Sequence, residues 1–210
     1  MASPALIALQ TQISRLKQCF ILEREDYSQY TSDDHMKALA FRLLASAAIE
    51  DYVEKRCVEV AKLGCDRFKK GQPSSTGRAI VTWSTVRTYA RSFPIHENDV
   101  LELLDGTDEA LKSYVKSVKS THGMSGRDLT SLVYPLGLRQ RQVPAQLVES
   151  LNALSRSRDP ASHVYVNRAK SMVEPIEEWR TVDQVMQPLA QLDDDLGLVA
   201  MTHPLEPKGL

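Results

Sequence analysis

The sequence has few aromatic residues, few glycines and no long apolar run, and each absence excludes a class of protein. Only 6% of its 210 residues are aromatic and 9 are glycine, so a propeller, a barrel or a jelly roll is not expected. No apolar run approaches the roughly 20 residues that a membrane span needs, and we expect no membrane partner. The N-terminal stretch MASPALIALQTQ lacks a basic leader followed by an apolar core, which predicts no signal peptide.

Motifs for metals and nucleotides are also missing. The three cysteines, Cys19, Cys57 and Cys65, have no metal-binding spacing, which is typical of reduced thiols in a cytoplasmic protein. There is no G-x-G-x-x-G, Walker-type loop, H-E-x-x-H or C-x-x-C, and the five histidines are scattered. We therefore expect no cofactor and no metal. With a net charge of −1, any nucleic-acid site must be a local patch.

Helical periodicity is what the sequence does have, and it predicts an all-α bundle. A first helix is indicated by the spacing of Leu6, Leu9, Ile13, Leu16 and Phe20. The stretch TSDDHMKALAFRLLASAAIEDYVEKRCVEVAKLG predicts a long second helix, which Ser32 would cap and Gly64 would end. Further helices are expected at about residues 80–93, 97–104, 107–119, 125–134 and 144–155, and from Pro160 to about 196 with a new start at Pro175.

The stretch SRSRDPASHVYVNRAK, residues 155–170, contains an R-x-x-x-x-H pattern. Asp159 is a good N-cap and Pro160 suits a first helical position, so we predict that a helix begins here. Arg158 would then lie off the helix axis, where its side chain can fold back toward His163. In a continuous helix, by contrast, residues five apart point about 140° away from each other.

A second copy of the spacing runs from Arg91 to His96 in RSFPIH. Because Pro94 falls between the two residues and ends a helix there, we interpret this copy as accidental.

The helix after Pro160 has an apolar and a polar face. Tyr165 lies on the apolar face, whereas His163 and Asn167 lie on the polar one. The positive end of the helix and the neighbouring Arg158 favour a neutral imidazole, which can act as a base. The alternative is an arginine and a histidine at a solvated helix start, with no role.

Glu50 is a further candidate. A stripe predicted to face the core runs directly into Glu50 and consists of Met36, Ala40, Leu43 and Ala47. A carboxylate on such a stripe needs a partner, which Arg158 or Arg42 could supply. Alternatively, the buried face turns with the helix to Ile49, Tyr52, Val53 and Cys57.

These residues resemble the HEPN superfamily. RDPASHVY resembles its R-x(4–6)-H signature, in which a polar residue, here Asp159, commonly follows the arginine. FRLLASAAIEDYVEKRC resembles the long helix of the RiboL-PSP-type branch. The resemblance implies an HEPN-type helical bundle with extra helices inserted between the long second helix and the C-terminal motif helices. We predict one domain over residues 1–210, with core helices at about 33–64 and 143–196 and a helical elaboration at about 65–142.

The resemblance also implies a metal-independent endoribonuclease of toxin–antitoxin or antiphage systems. His163 would be the catalytic histidine, Arg158 would bind the phosphate, and Asp159 would orient both. A neutral histidine takes the 2′-OH proton and the guanidinium stabilises the phosphate charge. A second copy of His163 or a water would protonate the leaving oxygen, which favours a homodimer, and the need for a 2′-OH excludes DNA.

The R-x(4)-H-x-Y spacing matches HEPN toxins whose tyrosine is AMPylated by a partner nucleotidyltransferase, which would make Tyr165 the modified residue, although a core tyrosine fits as well. Two other functions stay open. One is a non-catalytic HEPN-like module that binds RNA or a protein, using a basic patch made of Arg156, Arg158, Asn167, Arg168 and Lys170. The other is a structural bundle subunit.

Overall fold

The computed structural model describes residues 2–89, 106–163 and 174–202, and for residues 88, 89 and 156–163 it describes the backbone alone. This part of the chain contains α-helices and short 3₁₀ turns and no strand. The helices are α1 (Pro4–Phe20), α2 (Ser32–Lys69), α3 (Ser75–Tyr89), α4 (Thr107–Lys119), α5 (Gly126–Val133), α6 (Ala145–His163) and α7 (Pro175–Met201). The predicted all-α class is confirmed over these residues. None of their helices is long and apolar enough to cross a membrane.

Residue contacts divide the chain into two compact units. Unit 1 comprises Met1–Val53, Gly123–Leu129 and Pro144–Gln191, and unit 2 comprises Glu54–His122, Thr130–Val143 and Leu192–Leu210. The single domain expected from the sequence stays a prediction. The helix expected at about 97–104 and the second R-x-x-x-x-H copy lie outside the described residues.

The first two helices begin with side-chain caps. The Ser3 hydroxyl accepts a hydrogen bond from the Leu6 N–H at 3.1 Å, and Pro4 occupies the first turn of α1. At the start of α2 the cap is Thr31, not the predicted Ser32. The Thr31 hydroxyl accepts from the Asp34 N–H at 3.2 Å, and the Asp34 carboxylate accepts from the Thr31 N–H at 2.9 Å. This reciprocal capping box satisfies two backbone donors, which a cap at Ser32 would leave to water.

Gly64 does not end α2, which continues to Lys69. Its function is close packing within unit 2, where a Cβ on Gly64 would lie 2.6 Å from the Cβ of Thr76 in α3. Gly77 of α3 contributes to the same contact, because a Cβ there would lie 2.5 Å from the Gly64 carbonyl oxygen. The turn after α2 instead contains Gly71, whose φ of 68° suits glycine.

The stripe predicted to face the core on α2 does not do so. Met36 is 55% exposed, Ala47 is exposed and Leu43 is only half-buried. The buried face of α2 contains Ala38, Phe41, Ala45, Ile49, Tyr52, Val53 and Cys57. The alternative face through Ile49 and Tyr52 is therefore confirmed, and the error arose because apolar residues lie on both sides of this part of the helix.

Unit 1 is built around a buried ion pair between α2 and α7. Arg42 Nη1 donates to both carboxylate oxygens of Glu178 at 2.8 Å, and the two side chains are only 6% and 9% exposed. Phe41 and Trp179, which adjoin Arg42 and Glu178 in the sequence, have their ring centroids 6.1 Å apart. Lys17 of α1 lies over the Trp179 ring, 4.7 Å from its centroid. Charge and aromatic contacts thus hold α1, α2 and α7 together in this unit.

Unit 2 has its own buried polar contacts. The fully buried Tyr114 donates its hydroxyl to the Leu132 carbonyl at 2.8 Å, and burial raises the pKa of the adjacent Cys57 thiol to about 12. Arg56 Nε donates to Asp193 at 2.7 Å. Burial opposes the charge on Arg56, but the attraction of Asp193 outweighs it and the pKa of Arg56 is raised. Tyr114, Arg56 and Asp193 thus each have a hydrogen-bond partner in this unit.

Replacing Arg42 by alanine should lower the free energy of unfolding by about 3–5 kcal/mol, because Glu178 would stay buried without its cation. Chemical denaturation measures the difference. Lys112, whose side chain is 72% exposed, provides the control, and Lys112→Ala should change stability by less than about 0.5 kcal/mol. Equal effects of the two substitutions would contradict the importance of the buried pair.

Two glycines in helix interiors should respond to alanine with opposite signs. Gly64→Ala should destabilise the protein by about 1–3 kcal/mol, because the new methyl overlaps Thr76 on the neighbouring helix. Gly197→Ala should stabilise it by about 0.5–1 kcal/mol, since the nearest atom to a Cβ there is an Arg56 nitrogen at 3.6 Å. Thermal unfolding of both variants tests this, and a stabilising Gly64→Ala would show that the two helices do not meet at this glycine.

Candidate functional site

The R-x-x-x-x-H motif lies in the last turns of α6. Arg158, Asp159 and His163 all fall within this helix, which runs without a break from Ala145 to His163. The prediction that a helix begins at Pro160, capped by Asp159, is therefore wrong. A proline inside a helix loses one backbone hydrogen bond, but α6 is anchored in unit 1 by a row of buried leucines, Leu147, Leu151 and Leu154. Tertiary packing of the preceding turns outweighs the local preference.

Continuity of α6 changes the expected geometry of the motif. Positions 158 and 163 lie five residues apart in one helix and are therefore separated by about 140° around its axis. Position 158 lies on the same side of α6 as Leu151 and Leu154. Position 163 lies on the side of Asn152, about three turns further along the helix. The predicted approach of Arg158 to His163 required Arg158 to lie outside the helix. In the structure Arg158 lies within α6. Tyr165 and Asn167 lie outside the described residues.

Glu50 has a defined partner in unit 1. Its Oε1 atom accepts a hydrogen bond from the Gly123 N–H at 2.7 Å, although the two residues are 73 positions apart. Gly123 has a φ of 92°, so the carboxylate holds the loop between α4 and α5 at a position that favours glycine. Arg42, one of the two predicted partners, pairs with Glu178 instead, since its Nη1 atom donates to both carboxylate oxygens of that residue. Pairing of Glu50 with Arg158 stays a prediction.

A small depression lies beside Glu50. Five residues line it: Ser46 and Ile49 of α2, Met124 of the loop after α4, and Leu154 and Ser155 of α6. Its open volume of about 10 Å³ has room for roughly one water, so it does not hold a nucleotide. Position 158 lies one helical turn beyond Leu154 and Ser155. The structure thus brings the Glu50 region of α2 and the α6 turn that precedes the motif to the same part of unit 1.

Asn152 is a residue of this region that the sequence analysis missed. Its side-chain oxygen accepts from the Gly126 N–H at 2.9 Å, at the start of α5. A Cβ on Gly126 would lie 2.4 Å from a methyl of Val148, so α5 and α6 are in close contact. An asparagine in the interior of a predicted helix was the available indication, because asparagine is a weak helix former that prefers to bind backbone groups.

Three aromatic side chains form a second surface cluster, made of Tyr27, Tyr30 and His35, with ring centroids 5.9–6.3 Å apart. Aromatic rings at a surface, such as that of the exposed Tyr27, can stack on bases. Residues 23–37 nevertheless contain five acidic and two basic side chains, and this excess of negative charge opposes phosphate binding. The cluster is therefore a weaker candidate for RNA contact than the motif on α6.

No protein-family model, curated protein or solved structure matches this chain. The described residues define an all-α protein whose candidate site lies where α2, α6 and the loop after α4 meet in unit 1. Its function has to be argued from those residues.

Glu50→Ala should lower the free energy of unfolding by about 1.5–3 kcal/mol, because the Gly123 N–H loses a charged acceptor. Glu50→Gln should cost less, since the amide oxygen still accepts a hydrogen bond. Urea denaturation compares both with Glu59→Ala, a control on the same helix whose side chain is 61% exposed and should cost below about 0.5 kcal/mol. If Glu50→Ala were as harmless as the control, the contact would not hold the loop.

Proposed function

We propose that the chain is a metal-independent endoribonuclease of the HEPN type, in which His163 and Arg158 act on RNA. The observation that carries the proposal is the R-x(4)-H-x-Y pattern of the sequence, whose Arg158 and His163 lie in the last turns of α6, after the two α6 residues that line the depression near Glu50. The all-α architecture of the described residues, with a long second helix, supports the same assignment. The proposal also covers three further points. The helices form a bundle of HEPN type, the protein is cytoplasmic, and it belongs to a toxin–antitoxin or antiphage system.

The proposed reaction needs one base and one fixed cation. Neutral His163 takes the proton of the 2′-OH, and the 2′ oxygen attacks the adjacent phosphorus while the bond to the 5′ oxygen breaks. Arg158 donates hydrogen bonds to the phosphate oxygens as their charge rises, and Asp159 orients the motif. The products are a 2′,3′-cyclic phosphate and a 5′-hydroxyl. DNA is not a substrate because it lacks the attacking oxygen.

Helix geometry favours a site shared between two subunits. Because positions 158 and 163 lie about 140° apart on α6, Arg158 of one protomer and His163 of the partner subunit can approach one phosphate across a twofold axis. The second histidine of such a dimer also supplies the acid for the leaving 5′ oxygen. Tyr165, two residues after His163, is then the proposed target of an AMPylating antitoxin.

The same geometry favours a second candidate function. If Arg158 and His163 of one chain stay on different sides of α6 and no partner completes the site, the chain is a non-catalytic module that binds RNA or a protein. The basic residues at 156, 158, 168 and 170 would then supply the affinity, and His163 would contribute little.

RNA cleavage in EDTA tests the catalytic proposal. Total RNA and purified tRNA are incubated with wild type, His163→Ala and Arg158→Ala, and each substitution should slow cleavage by at least about 100-fold. The second copy of the spacing offers matched controls, since Arg91→Ala and His96→Ala remove the same side chains elsewhere and should leave the rate unchanged. End analysis should find 2′,3′-cyclic phosphates.

Two results would contradict the proposal. Equal cleavage by wild type and His163→Ala would exclude His163 as the base. No cleavage by any variant, with RNA bound equally well by wild type and His163→Ala in gel shifts, would establish the binding module. Circular dichroism of each variant shows that it is folded.

A further inference from the structure

Positive charge is concentrated in unit 2. Its described residues include 13 basic and 8 acidic side chains, although the whole chain has a net charge of −1. Two stretches of this unit contain basic residues and no acidic one: residues 67–89, with five basic side chains, and residues 130–143, with two. A local excess of positive charge attracts phosphate groups. An anionic partner therefore meets the least repulsion from these two stretches.

The two stretches pack against each other at Gly137. This glycine follows the 3₁₀ turn Tyr134–Leu136, which contacts α3. A Cβ on Gly137 would lie 3.2 Å from the Cβ of Ala79 and 3.4 Å from the Ser75 carbonyl oxygen, and its φ of 95° also suits glycine. Arg78 precedes Ala79 on α3 and is exposed. The absence of a side chain at Gly137 thus brings the second stretch close to Arg78.

The segment around Gly137 exposes one aromatic and two basic side chains. Tyr134 is 42% exposed, and Arg139 and Arg141 are exposed as well. The Cα atoms of these two arginines lie at most about 7 and 14 Å from that of Gly137, because they follow it by two and four residues. The Gln142 side chain accepts a hydrogen bond from the Arg139 N–H at 2.9 Å and stabilises this segment. We define the Tyr134 surface as the four exposed side chains Arg78, Tyr134, Arg139 and Arg141.

Arginine and tyrosine bind different parts of a single-stranded nucleic acid. A guanidinium keeps its charge and donates paired hydrogen bonds to phosphate oxygens. A tyrosine ring stacks on a base of any identity, and RNA offers free base faces in its single-stranded loops, bulges and ends. An acidic protein would also attract the three arginines, but it has no base on which Tyr134 could stack. Single-stranded RNA therefore fits the whole set better.

We propose that the Tyr134 surface binds single-stranded RNA, with its arginines on phosphates and Tyr134 stacked on a base. The proposal goes beyond the proposed function, because this surface belongs to unit 2, whereas Arg158 and His163 lie on α6 in unit 1. Phosphate contacts and stacking carry little sequence information, so the surface should accept RNA of any sequence. Salt should weaken the binding, because counterions compete for the phosphates.

The salt dependence of binding tests the arginines. Fluorescence anisotropy is measured with the full chain and a labelled 2′-O-methyl RNA strand of about 12 nucleotides, within the range that one small domain covers. This strand has no free 2′-OH, so it cannot be cleaved by 2′-OH attack. Arg78→Gln, Arg139→Gln and Arg141→Gln should each weaken binding. Each should also reduce the slope of log K against log salt by about 0.7, the contribution of one phosphate contact.

Arg180→Gln is the matched control for these variants. It removes an arginine of unit 1 whose side chain is 60% exposed, and it should leave both the affinity and the slope unchanged. Slopes equal to that of wild type in all three variants of the Tyr134 surface would overturn the proposal. An equal decrease of the slope in Arg180→Gln would also overturn it, because the binding would then depend on charge anywhere on the chain.

Two substitutions of Tyr134 test the stacking. Tyr134→Ala should weaken binding at least about fivefold, whereas Tyr134→Phe keeps the ring and should stay within about twofold of wild type. A second strand of the same backbone and length, but without bases, should bind wild type and Tyr134→Ala equally. Wild type that binds both strands with one affinity, or Tyr134→Ala that weakens both alike, would overturn the proposal.

These measurements are independent of RNA cleavage. Circular dichroism shows that each variant is folded, and His163→Ala should bind the 2′-O-methyl strand like wild type. A failure of the proposed function, seen as no cleavage of natural RNA, would leave the anisotropy results unchanged. A failure of the Tyr134 surface would in turn appear as normal binding by its variants, whether or not the wild type cleaves RNA.

Discussion

In each unit, a buried ion pair joins α2 to α7, and the packing of these helices depends on it. Arg42 with Glu178 serves unit 1, and Arg56 with Asp193 serves unit 2. Removing such charges from water costs several kcal/mol per ion unless each meets its partner. Leucine and alanine contacts alone would tolerate a shift of one helix along the other, whereas a buried arginine that must reach its carboxylate would not. We infer that each pair fixes the register of α7 against α2 within its own unit.

A fixed register has consequences for the candidate site. α2 also carries Glu50, whose carboxylate holds Gly123, and Ser46 and Ile49, which line the depression together with Leu154 and Ser155 of α6. The motif turn of α6 therefore follows a part of the helix that is already packed in unit 1. Glu50 holds the loop after α4 in this arrangement.

Sequence patterns were most reliable where a helix depends on its own residues. Of the five apolar positions that predicted α1, Leu6, Leu9 and Ile13 are buried and Leu16 and Phe20 are half-buried. The helix α4 covers 107–119 as expected. Sequence patterns failed where packing against another helix determines where a helix begins or ends. Gly64 is a common type of helix end, but α3 packs against it. Pro160 is a common helix start, but the buried leucines before it extend α6 through the motif.

Of the candidate site, the sequence alone identified Glu50 and the motif, because an acidic residue after an apolar run and an R-x-x-x-x-H spacing are visible without coordinates. It also determined the all-α class, since helical periodicity is a local property of the chain. Only the tertiary structure decided that Glu50 binds Gly123, that Arg42 binds Glu178 and that the side of α2 with Leu44 is exposed. Apolar residues occur on more than one side of α2, and which side is buried depends on helices far away in the sequence.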